Sequence, residues 1–502
     1  MLVVTANARQ AETLWLDLQF FQTDAAVPIL YFPPYNIQPY KVLAYHNETA
    51  ARRMKVLYTL LEAPQPPIVV TSTAAFLKRL IPRLEVAEYA ELLMVGEDLD
   101  RSQLLEKLVD GGYTQSQIVE EPGDFSVRGG IVDIFSPLYN HPLRAEFFGD
   151  TIDSLRLFSA DSQRRLDDIE EAVVPPAREA VLPARRLPEI LSRIRLQVDE
   201  QRLPKHEARR LITLLKEEKR FPGLESLLPL IYPELDTLLD YLPPDALVVE
   251  IEPAELENAA AEVLQRAEQH YVAALEDQKM CVDPGRLFVP WGKACELLEH
   301  RRRMRVRHLP LALPELSETD SWGLTFDVQD LDLPPRFVKA AGSGDHPAPF
   351  QALADWIVGR ISQGLAVRVV CRNVHQMERI TGMLEPYGIG FARTSAADPP
   401  PAAGPEVLLQ EGQLSEGFCW PSAGVVFLTD VDIFGAQRAG PRKRARSSPK
   451  PTLTFGDLHQ GDLVVHDEHG IGQYEGLTKL NLNRSENDFL TITYRGGDRL
   501  YL

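Results

Sequence analysis

Residues 123–135 read GDFSVRGGIVDIF and residues 143–159 read LRAEFFGDTIDSLRLFS. Each stretch holds two β runs, split by Gly129-Gly130 in the first and by Gly149-Asp150 in the second. Such pairs sit at the tips of tight hairpins, because glycine and aspartate tolerate the backbone angles that the turn requires. The two stretches together predict a compact β meander, preceded by a helix over SQLLEKLVDGGY (102–113). The sequence on either side has another pattern. VPILYF (27–32) and PPIVVTS (66–72) look like buried strands, and ETAARRMKVLYTLLE (48–62) between them places Met54, Leu57, Leu60 and Leu61 at helical spacing. Strand–helix–strand alternation implies a parallel α/β sheet. The meander therefore reads as an insertion into an α/β domain.

The rest of the chain continues in blocks. Residues 176–320 are helix-rich, with EARRLITLLKEEKRF (207–221) and AELENAAAEVLQRAEQHYVAALED (254–277), and DALVVEIEP (245–253) restores a buried strand. Residues 350–435 repeat the α/β alternation. The expected division is 1–85 and 176–320 as the two parts of one α/β domain and 86–175 as the inserted β domain. A linker at 321–349, a second small α/β domain at 350–436, a basic linker at 437–455 and a small β barrel at 456–502 follow. The fold class is α/β multidomain.

Composition narrows the function. The 502 residues are 44% hydrophobic and 25% charged, an ordinary globular balance. A net charge of −19 excludes a chain that coats DNA, so any phosphate contact must be concentrated in patches. QRAGPRKRARSSPK (437–450) is such a patch, read as a flexible basic tether or a nucleic-acid contact. RRRMRVR (301–307) reads as a half-buried strand whose arginines snorkel outward. The four cysteines, at 281, 295, 371 and 419, form no C-x-x-C pair, which fits a reducing, cytoplasmic setting. No stretch has the ~20 apolar residues of a membrane span. The chain opens on a strand-like run and stops in one, so it is expected to be a fragment of a longer protein.

LVVHDEHGIGQYEG (463–476) admits three readings. An ATPase acidic pair at Asp467-Glu468 would need a G-x-x-x-x-G-K-[ST] phosphate loop, and none occurs. A metal site at His466 and His469 would need both side chains on one face, whereas alternation in an extended segment puts them on opposite faces. A strand and its turn explains Val464, Val465, Gly470 and Gly472, and FLTITYRGGDRLYL (489–502) supplies further strands around Gly496-Gly497.

The residues then become recognisable as a set. GDLVVHDEHGIGQYEGL followed by YRGGDRLYL resembles the RNA-polymerase-interacting domain of the bacterial transcription-repair coupling factor (Mfd) family. GDFSVRGGIVDIFSP and RAEFFGDTIDSLRLFSADSQR resemble the module that this family shares with the excision-repair protein UvrB. FPPYNIQPY, NETAARRMKVLYTLL and FPGLESLLPLIYPELDTLLDYLPPDALVV resemble its flanking parts, and GVVFLTDVDIFG the third domain. The resemblance implies a Tudor-like form for the terminal barrel. It also implies docking on RNA polymerase stalled at DNA lesions and recruitment of UvrA for nucleotide excision repair. The motor, with its ATP and magnesium, is expected outside this chain, so no catalytic residue, cofactor or metal is assigned here. DNA would be met mainly through that motor, no membrane is involved, and a monomer is expected. The alternative is a UvrB-like nucleotide-binding helicase subunit of excision repair.

Four residues carry the site expectations. Arg144, Arg156 and Arg164 are assigned to UvrA, since an arginine-rich sheet face suits charged interface pairs. Solvated strand positions would look the same in sequence. Leu480, beyond a turn at Gly476, is assigned to the polymerase on the resemblance. Phe125, Ile131, Phe135 and Phe147 are read as core, and Asp133 as a cap or a partner of Arg128.

Overall fold

The computed structural model describes residues 1–22, 27–35, 47–218, 221–308, 323–333, 348–394, 406–434, 460–466, 470–482, 485–494 and 499–501. Residues 321–322 and 334–347 of the expected linker at 321–349, the basic run at 437–450 and the acidic pair at 467–468 lie outside the described residues. The chain divides into two compact units, one made of residues 1–11, 30–307 and 450–502, the other of 12–29 and 308–449.

The first unit holds a five-stranded sheet in the order β13-β12-β1-β3-β2. Its strands are β1 (Leu2–Thr5), β2 (Ile29–Phe32), β3 (Ile68–Ser72), β12 (Leu247–Ile251) and β13 (Arg302–Val306). β1 runs parallel to both β3 and β12, and β12 parallel to β13. The sequences LVVT and LVVEI are almost continuously apolar because helices cover both faces of such a sheet. Leu2, Val4, Val69 and Val248 pack with Met54 and Leu57 from the helix Asn47–Glu62 in one large core. β13 carries the RRRMRVR run on the edge of this sheet, where Met304 and Val306 are exposed and Arg303 and Arg305 reach the buried Glu250. These two arginines therefore do not simply snorkel. They neutralise a carboxylate that the neighbouring interior strand β12 has buried.

The meander is present as expected, with strands β4 (Glu91–Met94), β5 (Thr114–Gln115), β6 (Asp124–Arg128), β7 (Ile131–Ile134), β8 (Leu143–Phe148), β9 (Thr151–Phe158), β10 (Arg165–Asp168) and β11 (Glu171–Val174). Six of them form a sheet in the order β10-β9-β8-β7-β6-β5, while β11 pairs with β4. Leu143, Ala145, Ile152 and Leu155 pack with Leu104 and Leu108 of the helix Arg101–Asp110. Phe125 and Phe135 are buried, and Ile131 and Phe147 are half-buried.

In the second unit, β14 (Gln329–Asp330), β15 (Ala366–Cys371), β16 (Gly390–Thr394), β17 (Glu406–Glu411), β18 (Phe418–Trp420) and β19 (Val425–Thr429) form a mixed sheet, order β14-β18-β19-β15-β17-β16. Near the end of the chain, β20 (Leu463–His466), β21 (Gly470–Leu482), β22 (Ser485–Thr493) and β23 (Arg499–Tyr501) make a four-stranded antiparallel sheet in chain order. Gly476 does not form a turn: β21 continues through it, and the register shifts there in a bulge that the positive φ of +104° at Gly476 accommodates.

Candidate functional site

On the inserted sheet, residues of one face alternate with residues of the core. Leu143, Ala145 and Leu155 point to the core, so Arg144 and Arg156 share the opposite face, and they are direct register partners across β8 and β9. Two guanidinium groups opposite each other would repel. The sheet resolves this by giving each its own carboxylate. Arg144 donates two parallel hydrogen bonds to Asp133 on β7, Nε to Oδ1 at 2.6 Å and Nη2 to Oδ2 at 2.8 Å. Arg156 pairs with Glu146, which also accepts a hydrogen bond from Ser154. The Arg144 guanidinium lies 4.6 Å from the centre of the Phe158 ring. Its hydrogen bonds to Asp133, more than any other influence, hold it above its ordinary pKa.

This corrects one sequence expectation, the partner of Asp133, and adds a structural role to Arg144. Asp133 is 1% exposed and its partner is Arg144, not Arg128. Arg144 is a half-buried structural fork before it is a surface charge. Arg164 lies apart from both, exposed in the turn between β9 and β10, with its carbonyl accepting from the Ser159 amide.

Two residues not selected from sequence stand out at the other end of the meander. The β6–β7 and β8–β9 turns fall at the same end of the sheet, and beside them Arg128 is exposed and Phe148 is 84% exposed. The turns are pressed together: Phe147 donates its amide to Gly130 O at 2.7 Å, and a Cβ on Gly130 would stand 2.8 Å from Phe147 O. The signal was in the sequence. Phe147 and Phe148 are consecutive, and alternation allows only one of two consecutive strand residues to face the core. The register shift between Glu146 and Phe147 leaves Phe148 outside.

In the terminal sheet, Leu480 lies on β21 opposite Asn487 of β22, and its side chain is outside what is described. His466 lies opposite Gly470 where β20 pairs antiparallel with β21, while His469 is outside the described residues. Among the described residues, no group of acidic, histidine and cysteine side chains is arranged to hold a metal ion, and no helix is long and apolar enough to cross a membrane.

Comparison with known proteins places names on these two sheets. The UvrB interaction domain family matches residues 92–179, and the CarD-like/TRCF RID domain family matches residues 458–502. The transcription-repair-coupling factor of Myxococcus xanthus is 32% identical over all of this chain. The chain is a relative of the transcription-repair-coupling factors. Those of Bacillus subtilis and of Staphylococcus aureus strain RF122 are 27% and 25% identical, again over 100% of the chain. In each case the chain spans 42% of the relative's length.

Proposed function

We propose that this chain is the docking part of a transcription-coupled excision-repair protein, with the inserted sheet binding UvrA and the terminal sheet binding RNA polymerase. One observation carries the reading: two partner-binding families match two separate sheets within a chain related end to end to transcription-repair-coupling factors. In this reading the UvrA face is centred on Arg128 and Phe148, with Arg144 and Arg156 holding the sheet beneath it and Arg164 at its far end. Leu480 belongs to the polymerase face, where a strand edge can pair with a partner strand. The antiparallel order β20-β21-β22-β23, bent by the bulge at Gly476, supports a small Tudor-like barrel. ATP-driven translocation on DNA, with its magnesium, is assigned to the remaining length of the relatives and not to these residues. A cytoplasmic monomer with the domain division given above completes the proposal.

The test uses the purified chain, with UvrA and RNA polymerase immobilised separately. Phe148→Ala should lose UvrA alone, and Leu480→Arg polymerase alone. If neither partner is retained by the wild-type chain, the docking reading fails. Saturable, magnesium-dependent binding of a fluorescent ATP analogue would favour the alternative of a nucleotide-binding helicase subunit.

A further inference from the structure

The inserted sheet returns to the parallel-sheet body through residues 174–183, VPPAREAVLP, every one of which is buried. A hinge would be exposed and rich in groups bonded to water. This connector is instead tied on both sides. Toward the insertion, Ala177 N donates to Gly111 O at 2.9 Å and Leu182 N to Asp110 O at 2.9 Å. The stem of Arg178 lies against Gly112, where a Cβ would come within 2.9 Å of it. Toward the body, Glu179 is 0% exposed and accepts at Oε1 from Arg53 Nε at 2.6 Å and from the Tyr35 hydroxyl at 2.7 Å. Tyr232 O–H donates to Glu179 O and accepts from Val181 N, both at 2.9 Å.

Arg53 is the centre of the body side. It is also 0% exposed, donates Nη1 to Pro33 O at 2.7 Å, and lies 4.1 Å and 4.4 Å from the ring centres of Phe32 and Tyr35. Lys78 Nζ sits 4.6 Å from the Tyr35 ring centre. Burial first, and then the charge of Glu179, push the Tyr35 phenol well above its ordinary pKa, so it acts as a neutral donor. These contacts do not make an economical stabiliser. Arg53 Nη2 and Glu179 Oε2 are buried with no hydrogen-bond partner among the described residues. An apolar pair of similar volume commonly stabilises a core as well as a buried ion pair does. What an apolar pair lacks is direction.

We propose that Arg53 is a positioning residue: through Glu179 it locks the connector, and so fixes the angle at which the inserted sheet presents its Arg128–Phe148 end. The inference rests on the docking reading only for its purpose, not for its geometry.

The experiment measures that angle in the whole chain. Spin labels go on Asp153→Cys of β9 and Glu268→Cys of the helix Pro253–Glu276, both exposed, in a Cys295→Ser background, the other three cysteines being buried. Double electron–electron resonance should give one narrow distance in the wild type. Glu179→Gln should at least double its width, and so should the apolar pair Arg53→Leu/Glu179→Leu, even where its melting temperature matches wild type. Arg53→Lys, which keeps the charge, should restore part of the narrowing relative to Arg53→Leu. If Glu179→Gln does not fold, the apolar pair decides alone. A narrow distance in a folded apolar pair overturns the proposal, because shape and not the directional contact would then set the angle. UvrA affinity is measured on the same samples. A widened distance with wild-type UvrA affinity leaves the lock standing and removes its docking purpose. A wild type that does not bind UvrA sinks the docking reading without touching the lock.

Discussion

Arg144→Glu separates a folding role from a docking role. Assigning Arg144 and Arg156 to the UvrA face implies that reversing both charges abolishes UvrA binding and leaves polymerase binding intact. The geometry gives a different outcome. Asp133 is 1% exposed and takes both of its side-chain bonds from Arg144, so the substitution removes its partner and adds a second carboxylate beside it. Removing one member of a buried pair costs about 3–5 kcal/mol. Arg144 retains 21% of its side-chain exposure, so water relieves part of this and ~2–4 kcal/mol remains. The loss is local to the meander, which calls for a local readout. Hydrogen exchange at the amides of Val132 and Ala145, register partners on β7 and β8, should accelerate by roughly 30- to 1,000-fold if opening of these strands is what exposes them. Asp133→Asn in the same background should recover part of the protection, because the buried charge is then gone. Unchanged exchange in Arg144→Glu, together with lost UvrA binding, would refute the structural role and return Arg144 to the interface.

Phe148→Ala removes a ring that is 84% exposed, so melting should move little, while UvrA affinity should fall by about 30-fold or more, as for a hot-spot aromatic worth ~2 kcal/mol or above; calorimetry showing unchanged affinity would remove Phe148 from the face. Leu480→Arg should weaken polymerase binding with the β signal in circular dichroism intact; loss of both would make Leu480 a residue of the fold instead. Gly130→Ala should destabilise the meander by ~1–3 kcal/mol through the collision with Phe147 O, measurable by urea unfolding and contradicted by a wild-type midpoint. Burial pushes the Glu225 carboxyl up from 4.5 to about 8, so its contribution to stability is fully present below about 4.5 and is lost as pH rises through about 8. Lys78, lowered by burial from 10.5 to about 8, has the opposite slope, its penalty fading from about 8 to 10.5. Wild type should therefore melt at progressively lower temperature from pH 5 to 8 and Glu225→Gln much less so; parallel curves would contradict the assignment.

The sequence made the architecture readable where periodicity is strong. Gly129-Gly130 and Gly149-Asp150 marked two hairpins, and the LVVT and LVVEI runs marked buried parallel strands. It was less informative about which polar groups face each other. Asp133 lies two strand positions from Ile131 and five from Arg128, and nothing in that spacing selects Arg144, because cross-strand register appears only once the sheet is assembled. Arg53 and Glu179 are 126 residues apart, so their pairing had no local signature. At Gly476 the sequence suggests a turn, since glycine serves both turns and bulges and only pairing on both sides of it distinguishes them. Phe148 is legible in the sequence, because the doubled phenylalanine requires one ring outside.

The place of β1 in the parallel sheet has a consequence for how the chain is born. β1 leaves the ribosome before both of its sheet neighbours, and one of them, β12, follows β3 by about 175 residues. At ~5–20 residues per second, β1 and β3 wait roughly 10–35 s for that edge to be covered. The meander completes its own local hairpins within this interval, since short-range pairings form quickly. An apolar strand edge is thus open on the nascent chain while the inserted domain is already finished. This is the window in which a holdase chaperone would find it, and slowing translation between codons 72 and 247 should lengthen that engagement.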